Sequence, residues 1–174
     1  MSVTMGVPKI KFTYRAAAQS VAMRMKQGVV ALIVQDPGTA AGVYSIGDVD
    51  DIPKGLSESS VAYIKMALIG SRWNTPSNVL VSVIDTDADI VTAGAAALAA
   101  KDFDYLCGPP DMTAEEAASV KKWLDTARKG YCIGKLVTAN YAADDMTVIN
   151  FASSGIVVGG TTYAGSDFCS RIAG

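Results

Sequence analysis

The 174-residue sequence predicts an α/β fold: a mixed, mostly parallel sheet flanked by helices, with an extended N-terminal β-arm and an antiparallel C-terminal region. Two patterns typical of buried strands, at residues 29–34 and 79–84, alternate along the chain with helical patterns. Three strand patterns then follow one another near the C-terminus. Alternating strands and helices are typical of parallel sheets, whereas successive strands are typical of antiparallel ones.

The N-terminal segment differs from the rest of the chain in charge and in pattern. Residues 1–27 contain five basic side chains and no acidic one, while the remaining 147 residues have a formal charge of −7. We therefore divide the chain into a linking arm, residues 1–27, and an α/β body, residues 28–174. Within the arm, apolar and polar side chains alternate as in a half-buried strand. This strand consists of Lys9, Ile10, Lys11, Phe12, Thr13, Tyr14 and Arg15.

An isolated strand cannot bury its apolar face by itself. The strand at residues 9–15 must therefore lie on its own body or add to the sheet of another chain, where backbone hydrogen bonds supply affinity. The sequence leaves both arrangements open. A basic strand and an acidic body favour contact between copies, because opposite charges attract.

The first half of the body is predicted to contain two strands and one helix. The strand at residues 29–34 ends at the turn Asp36-Pro37-Gly38, and a weaker extended or turn region covers residues 43–52. Ser57 is the expected N-cap of a helix that Gly70 ends. The second strand covers residues 79–84. The predicted buried face of the helix is formed by Val61, Ile64 and Leu68.

The second half is predicted to contain two helices and four strands. An Ala-rich helix covers about residues 90–100, and a short strand lies at residues 105–107. Thr113 and Glu116 form a capping box at the start of the next helix, which Gly130 ends. The apolar stripe of that helix is Ala117, Val120, Leu124 and Ala127. Strands follow at residues 132–138, 147–151 and 156–163, and we expect the last two to form a hairpin around residues 153–155.

The composition excludes several kinds of active site. The chain contains no histidine, which excludes Ser-His-Asp and Cys-His nucleophile pairs and histidine-ligated zinc. Cys107, Cys132 and Cys169 lack C-x-x-C spacing and are expected to be reduced, partly buried thiols. No phosphate-binding or dinucleotide-binding glycine motif is present. We therefore assign no catalytic, cofactor-binding or metal-binding residue, and we expect no nucleic-acid or membrane partner.

One acidic motif supports an alternative function. Asp85, Asp87 and Asp89 follow a buried strand, where α/β proteins commonly bind ligands, and could belong to a small metal-dependent enzyme or regulator. An EF-hand loop beginning at Asp85 would need glycine at its sixth position, and the chain has Ile90 there. The simpler interpretation is a turn in which Asp89 caps the following helix. The second acidic cluster, Asp48, Asp50 and Asp51, is expected to be a solvated loop.

Six segments, in order, resemble the N-terminal part of contractile phage tail sheath proteins, closest to those of Gram-positive prophages and phage-tail-like bacteriocins. They are residues 6–12, 28–36, 74–81, 102–106, 148–151 and 171–174. The resemblance implies a structural subunit, without catalytic residues, that polymerises around a tail tube and contracts to drive the tube into a target cell.

The same resemblance implies partners, a location and a longer chain. Subunits of this family exchange β-strands, so residues 9–15 would be the strand that links one copy to the next. The implied partners are other copies of the chain, the tail tube protein and the baseplate. The implied location is the tail sheath of the virion, after synthesis in the cytoplasm of a bacterial host. Because family chains continue into a C-terminal domain, we expect this sequence to be part of a longer protein.

Overall fold

A computed structural model describes residues 25–26, 28–71, 74–128, 134–139 and 141–174. The strands are β1 (Met25–Lys26), β2 (Val29–Gln35), β3 (Gly42–Ile46), β4 (Asn74–Thr75), β5 (Asn78–Ile84), β6 (Tyr105–Cys107), β7 (Lys135–Thr138), β8 (Val148–Asn150), β9 (Ile156–Val158) and β10 (Thr161–Tyr163). The α-helices are α1 (Glu58–Ile69), α2 (Ala114–Arg128) and α3 (Gly165–Ala173), with a 3₁₀ turn at Val49–Asp51 and a π-helical segment at Ile90–Ala95.

Six strands form the central sheet, in the order β3-β5-β2-β6-β7-β8. Neighbouring strands are parallel except for β3, which runs antiparallel to β5 at one edge. β2 and β5 pair over seven residues and supply the two apolar runs that the sequence displays. Strands covered on both faces are nearly continuous apolar runs, which explains why these two were recognisable. The predicted α/β class, with a mixed and mostly parallel sheet, is confirmed.

Helices cover both faces of this sheet. Side chains alternate along β2, so Val30 and Leu32 pack with α1 and α3, while Ala31 and Ile33 pack with α2 and the π-helical segment. The strand interior is almost completely excluded from solvent. The body therefore has a helix–sheet–helix arrangement with one core on each side of the sheet.

The ends of α1 are as predicted, but its buried face is different. The Ser57 hydroxyl accepts a hydrogen bond from the backbone N–H of Ser60 (3.3 Å), and Gly70 ends the helix with a φ of +53°. Val61 and Leu68 are only half-buried. The predicted stripe was partly wrong because α1 packs against α3 as well as against the sheet. The buried apolar residues are Tyr63, Ile64, Met66 and Ala67.

The predicted Ala-rich helix at residues 90–100 is shorter and begins as a π-helix, Ile90–Ala95. A Cβ atom at Gly94 would lie 2.6 Å from Cγ2 of Ile33, so glycine allows this backbone to approach the sheet. The hydroxyl of Ser82 donates a hydrogen bond to the carbonyl oxygen of Gly94 (3.0 Å). Ser82 of the sheet thus binds a carbonyl oxygen that would accept a backbone hydrogen bond in a regular α-helix. This competition accounts for the wider, π-helical turn.

The predicted hairpin between residues 147–151 and 156–163 is wrong. β8 instead pairs with β7, in parallel, at the edge of the central sheet. β9 and β10 pair with each other around Gly159 and Gly160, whose φ values are +59° and +86°. Two consecutive positive φ angles characterise the type I′ turn of a two-residue hairpin. This two-stranded sheet, which we call the terminal hairpin, confirms an antiparallel region near the C-terminus, at a position different from the expected one.

The capping box of α2 is confirmed. The Glu116 carboxylate accepts hydrogen bonds from the backbone N–H and the hydroxyl of Thr113, at 2.8 Å each, and the Thr113 hydroxyl accepts one from the N–H of Glu116. Ala117, Val120 and Leu124 are buried as expected, and Ala127 is half-buried. The predicted end of this helix at Gly130 and the thiol of Cys132 lie outside the described residues. None of the helices in the described ranges combines the length and apolarity needed to cross a bilayer.

Candidate functional site

The linking strand predicted from the sequence, Lys9, Ile10, Lys11, Phe12, Thr13, Tyr14 and Arg15, lies outside the described residues. The described part of the chain begins with β1, which runs parallel to β4 with Met25 opposite Asn74 and Lys26 opposite Thr75. The arm therefore joins the body at the amino-terminal end of β2. The division into arm and body at residue 28 remains a prediction.

The three carboxylates of the alternative metal site are not gathered around a common point. Asp89 accepts hydrogen bonds from the backbone N–H groups of Val91 (3.0 Å) and Thr92 (2.7 Å), and from the Thr92 hydroxyl (3.0 Å). Asp89 therefore caps the π-helical segment, and the hydrogen bonds from Thr92 lower its pKa. Among the described residues, no group of three or more Asp, Glu, Cys or His side chains could hold a metal ion.

The other acidic cluster forms a small self-contained turn. Asp48 caps the 3₁₀ turn by accepting a hydrogen bond from the N–H of Val49 (2.6 Å). Asp51 accepts hydrogen bonds from the N–H groups of Gly47 (3.0 Å) and Asp48 (3.1 Å). Asp48, Asp50 and Asp51 are exposed, as expected for a solvated loop, and two of them satisfy backbone donors.

Sequence reasoning missed the role of Asp36, which is only 2% exposed at the carboxyl end of β2. Its carboxylate accepts hydrogen bonds from the backbone N–H of Gly38 (2.9 Å), the N–H of Ser57 (2.8 Å) and the hydroxyl of Ser60 (2.7 Å). Burial disfavours the charged form, but these hydrogen bonds outweigh burial and lower the pKa of Asp36 to about 2. The Asp-Pro-Gly turn after a strand and the helix cap at Ser57 were both visible in the sequence, but the hydrogen bond that joins Asp36 to Ser57 was not.

The buried thiols are not candidate nucleophiles. Cys107 and Cys169 are both free and buried, and the Cys107 thiol faces the carbonyl oxygen of Cys169 (3.6 Å). Burial, reinforced by Asp167, raises the pKa of Cys169 to about 12, and burial also raises that of Cys107. Reactive thiols have a lowered pKa, so these two act as apolar core residues.

Most residues of the terminal hairpin are exposed to solvent. Val157 and Val158 are 65% and 38% exposed. The hairpin is anchored at its base, where the ring of Tyr163 lies 6.2 Å from that of Phe168 in α3. The Phe168 ring also stacks on Phe151 at 6.1 Å. A two-stranded sheet is marginally stable alone, and each of these two strands pairs only with the other among the described residues.

An acidic groove lies beside this hairpin, at the carboxyl ends of β2, β5 and β6. It consists of two adjoining cavities of about 290 and 230 Å³. Both cavities are lined by Tyr63, Pro110 and Asp167; Asp111 lines the first and Tyr163 the second. The charged side chains that line the groove are all acidic. We use "acidic groove" below for these two cavities together.

Hydrogen bonds link the elements that form the wall of the acidic groove. The Tyr63 hydroxyl donates a hydrogen bond to the carbonyl oxygen of Gly108 (2.9 Å), which ties α1 to the loop after β6. Burial raises the pKa of Tyr63 well above its ordinary value, so the hydroxyl stays a donor. Ser60, another lining residue, bonds the ionised Asp36 beneath the floor. The groove is therefore a negatively charged and partly apolar surface.

No family model matches the chain. A search of known proteins finds the tail sheath protein of Clostridium phage phiCD119, which is 31% identical over 176 residues. The chain is homologous to a phage tail sheath protein. The match covers 97% of this chain and 47% of the relative, so the chain spans about half the length of the relative. This homology agrees with the resemblance that the sequence segments carry.

Proposed function

We propose that the chain is a non-enzymatic, structural subunit of the contractile tail sheath of a phage or phage-tail-like particle. The observation that carries the proposal is the 31% identity with a phage tail sheath protein along 97% of the chain. In this proposal copies polymerise around a tail tube, with the tube protein and the baseplate as further partners. Contraction of the polymer drives the tube into a target cell. The subunit resides in the virion tail and, before assembly, in the cytoplasm of the bacterial host.

The proposed link between copies is a strand of the arm, residues 9–15, added to a sheet of the next subunit. The terminal hairpin supports this arrangement because, among the described residues, β9 and β10 pair only with each other. Its exposed valines would be covered by an added strand. The alternating pattern of residues 9–15 suits such an addition, since one face would be buried and the other solvated.

The apolar face of the arm would supply a modest link between two subunits. Burial of Ile10, Phe12 and Tyr14 would contribute about 5 to 8 kcal/mol before the cost of ordering the arm. A link of this strength is weak for one pair of subunits. It becomes strong in a ring or helix, where each subunit is held by several neighbours at once.

The test is the association state of the whole 174-residue chain, with and without Ile10→Asp combined with Phe12→Asp. We expect the unchanged chain to form concentration-dependent oligomers between about 0.1 and 1 mM, because about 4 to 5 kcal/mol of net binding corresponds to this range. The double variant should sediment as a monomer. Sedimentation velocity measures both.

The matched control is Thr13→Asp combined with Gln19→Asp, which adds the same charge to the arm without touching the apolar stripe of residues 10, 12 and 14. It should associate like the unchanged chain. A monomer at every concentration, or equal association of the Ile10 and Phe12 double variant, would contradict strand exchange through the arm. Intact, contractile sheaths in electron micrographs of particles that carry both substitutions would contradict it as well.

A further inference from the structure

We propose that α3 and the terminal hairpin form one unit that opens from the rest of the body, and that this opening gives solvent access to the buried thiols of Cys107 and Cys169. The opening concerns a single copy of the body, so it does not depend on the proposed function. Four features support it: the small buried residues of α3, the cavities around α3, a buried hydroxyl without a partner, and the attachment of the hairpin.

The helix α3 buries little apolar surface. Its large apolar side chains are not fully covered, since Phe168 is half-buried and Ile172 is 41% exposed. By comparison, α1 buries tyrosine, isoleucine and methionine side chains. Hydrophobic stabilisation grows with the apolar area removed from water, so α3 is held less strongly than α1. The buried residues of α3 are all small: Gly165, Cys169, Ser170 and Ala173.

Cavities adjoin α3 near both of its ends. A cavity of about 580 Å³ lies at the carboxyl end, where Arg171 and Ile172 are among the lining residues. Near the amino end, Asp167 lines the acidic groove, and Ser166 and Cys169 line a small cavity of about 10 Å³. Side chains that border a cavity lack packing partners on that side. The packing of α3 is therefore interrupted along the helix.

A hydroxyl on the buried face of α3 favours the open form. Ser170 is 0% exposed, and its Oγ atom has no hydrogen-bond partner among the described residues. Most buried polar side-chain atoms have such a partner, because they would otherwise lose the hydrogen bonds that water supplies. Water reaches this hydroxyl when α3 separates, so the free energy lost on its burial is recovered in the open form.

The terminal hairpin is attached to the body through α3. One residue separates Tyr163, the end of β10, from Gly165, the start of α3, and the Tyr163 ring lies 6.2 Å from that of Phe168. Separation of α3 therefore carries the hairpin with it. The stacking of Phe168 on Phe151 (6.1 Å) must break, because the N–H of Phe151 donates a hydrogen bond to Thr138 of β7 (2.7 Å) and stays with the sheet.

The two thiols report this opening. Cys169 belongs to α3, and the thiol of Cys107 in β6 faces the carbonyl oxygen of Cys169 (3.6 Å). Burial raises the pKa of both thiols, to about 12 for Cys169. Because the thiolate is the reactive form, neither thiol reacts until α3 separates or the whole chain unfolds.

The experiment measures how fast iodoacetamide alkylates each thiol of the whole, folded chain at neutral pH. The chain is kept at about 5 μM, well below the concentrations at which association is expected. Mass spectrometry of tryptic peptides distinguishes Cys107, Cys132 and Cys169, because lysine and arginine residues separate them along the chain. Cys107 and Cys169 should react faster than global unfolding allows, and every variant should change both rates by the same factor.

Three variants separate opening of α3 from other routes to the thiols. Ser170→Ala should slow both reactions about fivefold or more, because the closed form no longer buries an unpartnered hydroxyl. Ser166→Ala, at a half-buried position of the same helix, is the matched control and should alter the rates less than about twofold. Phe168→Ala should raise both rates about tenfold, because it removes the ring that stacks on Phe151.

Gly94→Ala tests whether the thiols react through global unfolding. It weakens packing on the opposite face of the sheet, against Ile33, and should leave both rates unchanged. Faster alkylation in this variant would overturn the proposal, since the whole chain would then have to unfold first. Equal effects of the substitutions at Ser170 and Ser166, or a change at Cys169 without one at Cys107, would overturn it as well.

Hydrogen exchange tests whether the hairpin opens with α3. Backbone amides of β9, β10 and α3 should show the same protection, and Phe168→Ala should lower it in all three without changing that of β2. Loss of protection in α3 alone would show that the hairpin is not part of the opening unit.

Discussion

Replacing Asp36 with asparagine removes the ionised carboxylate that joins the end of β2 to the start of α1. The variant keeps the size of the side chain, but an NH₂ group, which donates hydrogen bonds, replaces one of the two carboxylate oxygens that accept them. At least one backbone donor, the N–H of Ser57 or of Gly38, then loses its acceptor. An unsatisfied buried N–H costs about 1 to 3 kcal/mol, so we expect the free energy of unfolding at neutral pH to fall by that amount.

The same carboxylate makes stability depend on pH. Its pKa is about 2 in the folded chain and 3.8 as its ordinary value, so the folded state binds the proton more weakly than the unfolded state. The contribution is therefore complete above pH 3.8 and disappears as the pH falls towards 2. The difference corresponds to at most about 2.5 kcal/mol, and solvent screening at the edge of the sheet reduces it to roughly 1 to 2 kcal/mol.

Urea unfolding, followed by far-UV circular dichroism between pH 2 and pH 7, measures both effects. We expect the stability difference between the unchanged chain and Asp36→Asn to shrink as the pH falls from about 4 to about 2. Asp87→Asn, at an exposed carboxylate, is the matched control and should follow the unchanged chain. A constant difference across this pH range would refute the assigned role of the Asp36 charge.

Two further substitutions test packing and capping by the same unfolding measurement. Gly94→Ala should lower the free energy of unfolding by about 1 to 3 kcal/mol, because the new methyl group would lie 2.6 Å from Ile33, and normal stability would mean that the backbone can retreat. Gly47→Ala, where the new methyl group has ordinary contact distances, is its control. Thr113→Ala should lower the free energy of unfolding by about 1 kcal/mol by removing the N-cap of α2, whereas Thr113→Ser should keep most of this stability. An equal loss of stability in both variants would show that the hydrogen bond from the N–H of Glu116 to the Thr113 hydroxyl is not the cause.

Local sequence signals predicted those features whose causes are local. The strands β2 and β5 were found because a strand covered on both faces is apolar along most of its length, whichever elements cover it. The Thr113 and Glu116 capping box was found because its partners are three residues apart. Asp89 was correctly assigned as a cap for the same reason.

The functional expectation also came from the sequence. Short segments in a fixed order indicated a tail sheath protein, and the homology with the phiCD119 protein agrees with them. The division of charge at residue 28 pointed to contact between a basic arm and an acidic body. The fold alone would not have led to either conclusion, because α/β sheets serve many functions.

Only the tertiary structure decided which elements meet. β8 became a parallel edge strand and left β9 and β10 as a separate hairpin, since strand partners are chosen by packing across the whole sheet. The acid at Asp36 became buried because Ser57 and Ser60, more than twenty residues away, supply its hydrogen bonds. The acidic groove arises where α1, the loop after β6 and α3 converge, and no sequence window contains all three. Such contacts depend on distances in space, and a linear pattern records only distances along the chain.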